Sequence, residues 1–320
     1  MWGRVLVLIA IAAVVALSIS AWRDVTPSAA DPSLTEGGPR PAVSTSPSDA
    51  RRGSGRWYAD EATVPSAAST LRAGASRRQE FERSADLFAF AQRLQPAADA
   101  GDAEARWLVS RVHEYCDGYA RAPADYGRDT ALIDSLDLPA ARPLGQARSR
   151  VAARCRRFVP GDTVSFVQLV RQRRDAADAG SLAAEASLLA MGEPIEPAPE
   201  YRRDLVERVQ ASRDPDAFVA LAPAMGVAAV DDAALAGRIA GSRTSEFAWR
   251  LAACDLGLDC SADGVLMTSY CAHGGICAQD PAQDFSGFVR EAALSPEDAD
   301  AVDHMVNALV GGQRLGMVMR

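Results

Sequence analysis

Four cysteines crowd one stretch near the C-terminal end, Cys254, Cys260, Cys271 and Cys277, in a C-x5-C-x10-C-x5-C pattern with His273 between the last two. These residue types support three kinds of chemistry. A thiolate beside an imidazole is a nucleophile, thiolates and imidazoles together hold zinc, and paired thiols in an oxidising compartment become disulfides. Zinc would draw on Cys271, His273, Cys277 and one upstream cysteine, but the C-x2-4-C spacing of tetrahedral sites is missing. A nucleophile needs a reduced thiol. His273, Gly274 and Gly275 have the composition of the oxyanion loop of hydrolases. Neither a G-x-S-x-G elbow nor alternating strands accompany them, so they read as a turn between two cysteines.

With Cys116 and Cys155 the chain has six cysteines, an even count, and three disulfides are expected. The pairing follows from helix length. If Thr244 to Leu256 is one helix and Ala262 to Cys271 the next, the latter puts roughly 15 Å between Cys254/Cys260 at one end and Cys271/Cys277 at the other. Bridged Cα atoms lie within about 7 Å of each other. The expected pairs are therefore Cys254–Cys260, Cys271–Cys277 and Cys116–Cys155; the other connectivities stay open if that second helix does not form.

The other chemistry-bearing residues carry less. His113 beside Glu114, and His304 beside Asp303, are sequence neighbours on helices, and adjacent helical side chains point apart. No phosphate loop, dinucleotide fingerprint or metalloprotease helix occurs. No catalytic, cofactor-binding or metal-ligating residue is assigned. A carboxylate pair for glycoside chemistry would have to be selected from 42 acidic residues by the fold. The formal net charge of -8 opposes nucleic-acid binding, which neutralises phosphates with a basic surface. The 34 basic residues are all arginine, and clusters such as Arg154, Arg156 and Arg157, or Arg171, Arg173 and Arg174, read as solvated helix faces.

The cysteine chemistry presumes export, and the N-terminus supplies a signal. Arg4 precedes the apolar run from Val5 to Trp22, which is followed by Arg23 and Asp24. As a helix its eighteen residues would span about 27 Å, close to the hydrocarbon thickness of a bilayer. Residues 1–23 are thus a signal-anchor, or a signal peptide cleaved before Ala21, with Ser18 and Ser20 as the small residues of the cleavage site. The remainder is expected in the periplasm, tethered to the inner membrane by residues 5–22, or secreted if cleavage occurs. Residues 24–76, rich in Pro, Ser and Ala, read as a disordered linker.

From Arg77 onward the pattern is helical. Ala dominates the apolar residues, aromatics are only 6%, and no strand ladder is legible, which favours closely packed helices. Phe81, Leu87, Phe88, Phe90, Ala91 and Leu94 form one stripe, and Ala105, Trp107, Leu108, Val109 and Val112 another, giving an antiparallel pair. A loop then leads to a helix from Gly145 to Phe158. Asp162 or Thr163 caps the next, which Gly180 ends. Further starts fall near Pro199, Asp214, Asp231, Thr244, Ala262, Gln283 and Pro296; the last has Ser295 as N-cap and Glu297 and Asp298 in its first turn.

One string recurs. AADAG stands at Ala97 to Gly101 and at Ala176 to Gly180, placing Ala105 opposite Ala184 and Val109 opposite Leu188. These positions resemble the Sel-one-like repeat, a tetratricopeptide-type helix pair with paired Ala, a Gly turn, an Ala four residues on and a Leu four beyond that. The family's Gly after that Leu is replaced here by Ser110 and Leu189, and the copies lie 79 residues apart where contiguous repeats recur at about 34 to 40. The resemblance covers residues 80–117 and 163–192. It implies a helical scaffold for protein contacts.

The expected architecture is all-α: an irregular, helical-repeat-like body of antiparallel helix pairs stapled by disulfides, with helical regions at 77–195 and 196–320. The expected role is an exported protein-binding scaffold whose partner is a protein of the cell envelope. The alternatives are a cell-envelope hydrolase using carboxylates, and a binding module for an envelope polymer or small molecule.

Overall fold

A computed structural model describes residues 77–311. The expected signal segment and linker lie outside the described residues. Among the described residues there is no strand, and no helix is long and apolar enough to cross a membrane.

The described residues are all-helical: α1 (77–83), α2 (Leu87–Asp99), α3 (Ala103–Ala120), α4 (Pro123–Asp134), α5 (Ala141–Cys155), α6 (Phe166–Asp178), α7 (Leu182–Ala190), α8 (Pro199–Ser212), α9 (Pro215–Leu221), α10 (Arg243–Asp255), α11 (Val265–Ala272), α12 (Phe285–Phe288) and α13 (Pro296–Gly311).

The two AADAG strings fold alike. At the first, Asp102 N–H donates to Ala97 O and Gly101 N–H to Ala98 O; at the second, Ser181 N–H donates to Ala176 O and Gly180 N–H to Ala177 O. This crossed pair of bonds ends a helix and requires a left-handed residue at the Gly. Gly101 and Gly180 have φ of 94° and 104° accordingly. The next residue is at once the N-cap of the following helix: Asp102 accepts from Ala105 N–H, and Ser181 from Ala184 N–H. Each string therefore makes a tight α2/α3 or α6/α7 hairpin, with Ala105 and Ala184 fully buried where small side chains let the partners close up.

Helix α3 is the hub and packs on α2, α5 and α6. From it an arc runs one way through α6, α7, α9 and α10, and the other way through α5 to α11. The largest fully buried side chains include Trp107, Trp249, Phe218 and Phe285, with the rings of Phe218 and Trp249 packed at a centroid distance of 5.0 Å. Helix α13 closes on α10, and α4 backs α5.

Several boundaries differ from the sequence expectation. The expected loop before the fifth helix contains α4, begun by Pro123 and acidic in its first turn; it buries only Tyr126 and Thr130, too little to leave an apolar stripe. Helix α5 starts at Ala141, and Gly145 lies inside it, because α4 comes so close that a Cβ there would fall 1.6 Å from Asp134 Oδ1. Ser165 with Gln168, not Asp162 or Thr163, caps α6 in a reciprocal box. The start near Asp231 is only a short 3-10 turn, Ala233–Leu235. Helix α11 begins at Val265 rather than Ala262, since Ser261 and Asp259 shape a turn there.

Candidate functional site

Inside the arc lies a cavity of about 660 Å³ with walls from α3, α6, α7, α9, α10, α11 and the loop after α11. That size is in the range of small-molecule sites. Helix α3 gives one stripe to it, Trp107, Arg111, Glu114 and Tyr115, at the spacing that puts side chains on one helical face. Helix α11 and its exit give Leu266, Ser269, Tyr270 and His273 in the same way, and α10 gives Glu246 and Arg250. Val219, Ala220, Pro223, Met191 and Ile276 complete an aliphatic part of the lining.

Three guanidiniums line this space, and two of them are committed. Arg173, only 3% exposed, donates through Nη2 to Glu114 Oε2 at 2.6 Å and through Nη1 to Met191 Sδ. Burial lowers its pKa, with Glu114 opposing. Arg250 donates through Nη2 to Glu246 Oε1 at 2.7 Å and lies over the Tyr270 ring. The third, Arg111, covers the rings of Phe81 and Trp107. Burial raises the Tyr115 hydroxyl pKa and pushes Tyr270 up to about 12, so both stay neutral. Trp107 Nε1, Tyr115 Oη and Arg173 Nε are shielded from solvent and have no hydrogen-bond partner among the described residues.

The arginines correct the sequence reading. Arg173 is not on a solvated face; it shares a register with buried Ala176, three residues on, which was the available signal. Arg154 likewise turns inward and donates to Ser84 O and Phe81 O, tying the end of α1 to α5.

All six cysteines are bonded. Cys116–Cys155 pins α3 to the end of α5, Cys254–Cys260 closes the turn after α10, and Cys271–Cys277 closes the turn after α11. That last bridge shapes the cavity wall. Gly275 N–H donates to Cys271 O and Ile276 N–H to Tyr270 O, while Gly274 sits where a Cβ would be 2.7 Å from Tyr270 O. The His-Gly-Gly segment is thus a helix terminus that aims His273 at the Tyr115 ring, centroids 5.9 Å apart. Burial lowers the His273 pKa and keeps the ring neutral. His113 is held by Gln172 Oε1 and His304 is exposed.

A second polar cluster lies behind the cavity. Arg78 bridges Asp216 at 2.5 Å and Asp214 at 2.8 Å, with Glu104 and Glu82 close by. Burial pushes both Glu82 and Glu104 up to about 7, and Asp216 adds to each. Burial and then Asp216 also raise Asp214. None of these four carboxylates lines the cavity, and the two that do, Glu114 and Glu246, are each held by an arginine. Among the described residues no group of three or more His, Cys, Asp or Glu is placed to hold a metal ion.

Fold and site define an all-helical, disulfide-bonded protein built around an arginine-bearing cavity. No protein-family model matches the chain, and neither the curated proteins nor the solved structures contain a match to it.

Proposed function

We propose that this chain is an exported ligand-binding module whose site is the open cavity lined by α3, α6, α7, α9, α10 and α11. The observation that carries this reading is a 660 Å³ space that combines aliphatic walls with a few oriented polar groups, the composition of sites that bind small molecules. It favours binding over carboxylate hydrolysis because the carboxylates of raised pKa do not face the cavity, and those that face it are neutralised in ion pairs. Three disulfides and no free cysteine support an oxidising compartment, in keeping with export through residues 1–23.

The test is titration of the full chain with an uncharged solvatochromic dye. Saturable binding that Leu266→Trp abolishes, with the fold intact by circular dichroism, is expected. Absence of saturable binding to the wild-type chain would remove the reading.

A second role has its own support. Leu132, Leu136 and Leu138, around the end of α4, are exposed leucines close in sequence, and grouped apolar surface is a feature of protein contacts. This agrees with the scaffold role that the Sel-one-like resemblance implies. Replacing the three by Ser should abolish capture of an envelope protein without altering dye binding.

A further inference from the structure

Arg111 lines the cavity with its side chain largely buried, 18% exposed. Among the described residues its guanidinium donates no hydrogen bond. The nearest carboxylate oxygen, Asp216 Oδ1, is 3.8 Å away, and Asp216 is already bonded to Arg78 Nε at 2.5 Å. A guanidinium carries five N–H donors, stays charged, and presents a planar fork that matches a carboxylate in a bidentate fashion. Arg111 lines the cavity, and the two carboxylates there, Glu114 and Glu246, are already engaged by Arg173 and Arg250.

The surroundings restrict what can bind. Arg173 and Arg250 are held by Glu114 and Glu246 within hydrogen-bond distance, which leaves Arg111 as the guanidinium of the lining whose nearest carboxylate, Asp216, lies beyond that distance and is shared with Arg78. A dianion would bring surplus negative charge close to Asp216. An ammonium group would find no carboxylate unclaimed in the lining. The aromatic faces are covered as well: Arg111 and Arg173 lie 5.5 and 5.4 Å from the Trp107 ring centroid, and Arg250 lies 5.1 Å from that of Tyr270. Apart from Ser187, Ser269 and His273, what remains of the walls is mainly aliphatic, from Val219, Ala220, Pro223 and Leu266 out to half-exposed Ile276.

Resting on the ligand-binding role of the cavity, we propose that the ligand is an aliphatic monocarboxylate, its carboxylate paired with Arg111 and its hydrocarbon body lying along the Val219, Pro223, Leu266 and Ile276 wall. The pairing gives a charge-assisted bidentate contact, and the chain's apolar surface leaves water.

The probes are decanoate, decanamide and decylammonium, titrated calorimetrically into the full chain with its disulfides intact. Decanoate is expected to bind at one site, at least about tenfold more tightly than either analogue, because a buried guanidinium left without its acceptor is costly. Arg111→Met should weaken decanoate by a similar factor and leave decanamide unchanged; Arg111→Lys should restore part of the loss. Equal binding of decanamide or decylammonium, or decanoate binding indifferent to Arg111→Met, would overturn the assignment. If Arg111→Met does not fold, the ranking of the three probes on the wild-type chain still decides. Dye binding separates the two levels of inference. A chain that takes the dye but not decanoate retains a binding cavity and refutes the carboxylate ligand; a chain that takes neither refutes both.

Discussion

Glu82 accepts the backbone N–H of Val265 through Oε2 at 3.3 Å, joining residues 183 apart in the chain. Val265 is the first residue of α11, whose N-cap is Gly264 and has no side chain to offer. The carboxylate from α1 therefore takes the place of a local cap and also puts negative charge at the positive end of the helix. Through this contact the end of α1 helps hold the helix that supplies Leu266, Ser269 and Tyr270 to the cavity.

Glu82→Ala should loosen α11 in particular. A lost cap costs about 1 kcal/mol, and amide exchange at Ser269 and Tyr270 should accelerate more than exchange in α6 or α8. Uniform acceleration across all helices would show that Glu82 acts on global stability alone.

The raised pKa of Glu82 and of Glu104 should make the protein less stable as pH rises. Burial lifts both to about 7 in the fold, from the usual 4.5. Between these values the folded chain holds protons that the unfolded chain has released, so stability falls with rising pH, by up to about 1.4 kcal/mol per pH unit for each group. His273 acts in the opposite sense: its lowered pKa costs stability as pH falls below the imidazole's ordinary 6.5. Urea midpoints at pH 5 and pH 8 should therefore differ less in Glu82→Gln/Glu104→Gln than in the wild type. An unchanged difference would mean that other groups govern it.

The Arg173–Glu114 pair should respond asymmetrically. Arg173 is buried and its partner is half exposed. Glu114→Ala strands a buried charge, at a cost of about 3 kcal/mol, whereas Arg173→Met replaces it with apolar volume and should cost under about 1 kcal/mol. Denaturation of the two variants side by side checks the order, and a larger loss from Arg173→Met would contradict it.

The bridges should differ with loop length. Cys116–Cys155 spans 39 residues, while the other two span 6 each. Loop-closure entropy gives about 4 kcal/mol for the long loop and about 2 kcal/mol for each short one. Removing Cys116–Cys155 should lower the thermal midpoint most. Removing Cys271–Cys277 should affect ligand or dye binding more than stability, because it frees the wall turn holding His273 and Ile276.

Helix content was legible because its signals are local. The two AADAG turns end their helices through bonds within six residues, Asp102 and Ser181 cap the next helices three residues on, and Pro296 starts α13 as its position suggests. The missed elements had weak local signals. Helix α4 buries two residues and shows little apolar periodicity, and the turn before α11 is capped by a residue from the far end of the described chain.

Sequence alone determined the all-helical class, the six cysteines able to pair, and those helix ends marked by a local Gly stop or Pro start, since each depends on a few adjacent residues and a fixed geometry. Tertiary structure alone decided the site. Arg111, Arg173 and Arg250 lie on three helices and look alike in the sequence, yet one has only a carboxylate 3.8 Å away that it shares with Arg78 while two are paired within hydrogen-bond distance. That distinction arises only when α3, α6 and α10 close around a common space, because burial and pairing are properties of the assembled helices and not of the residue.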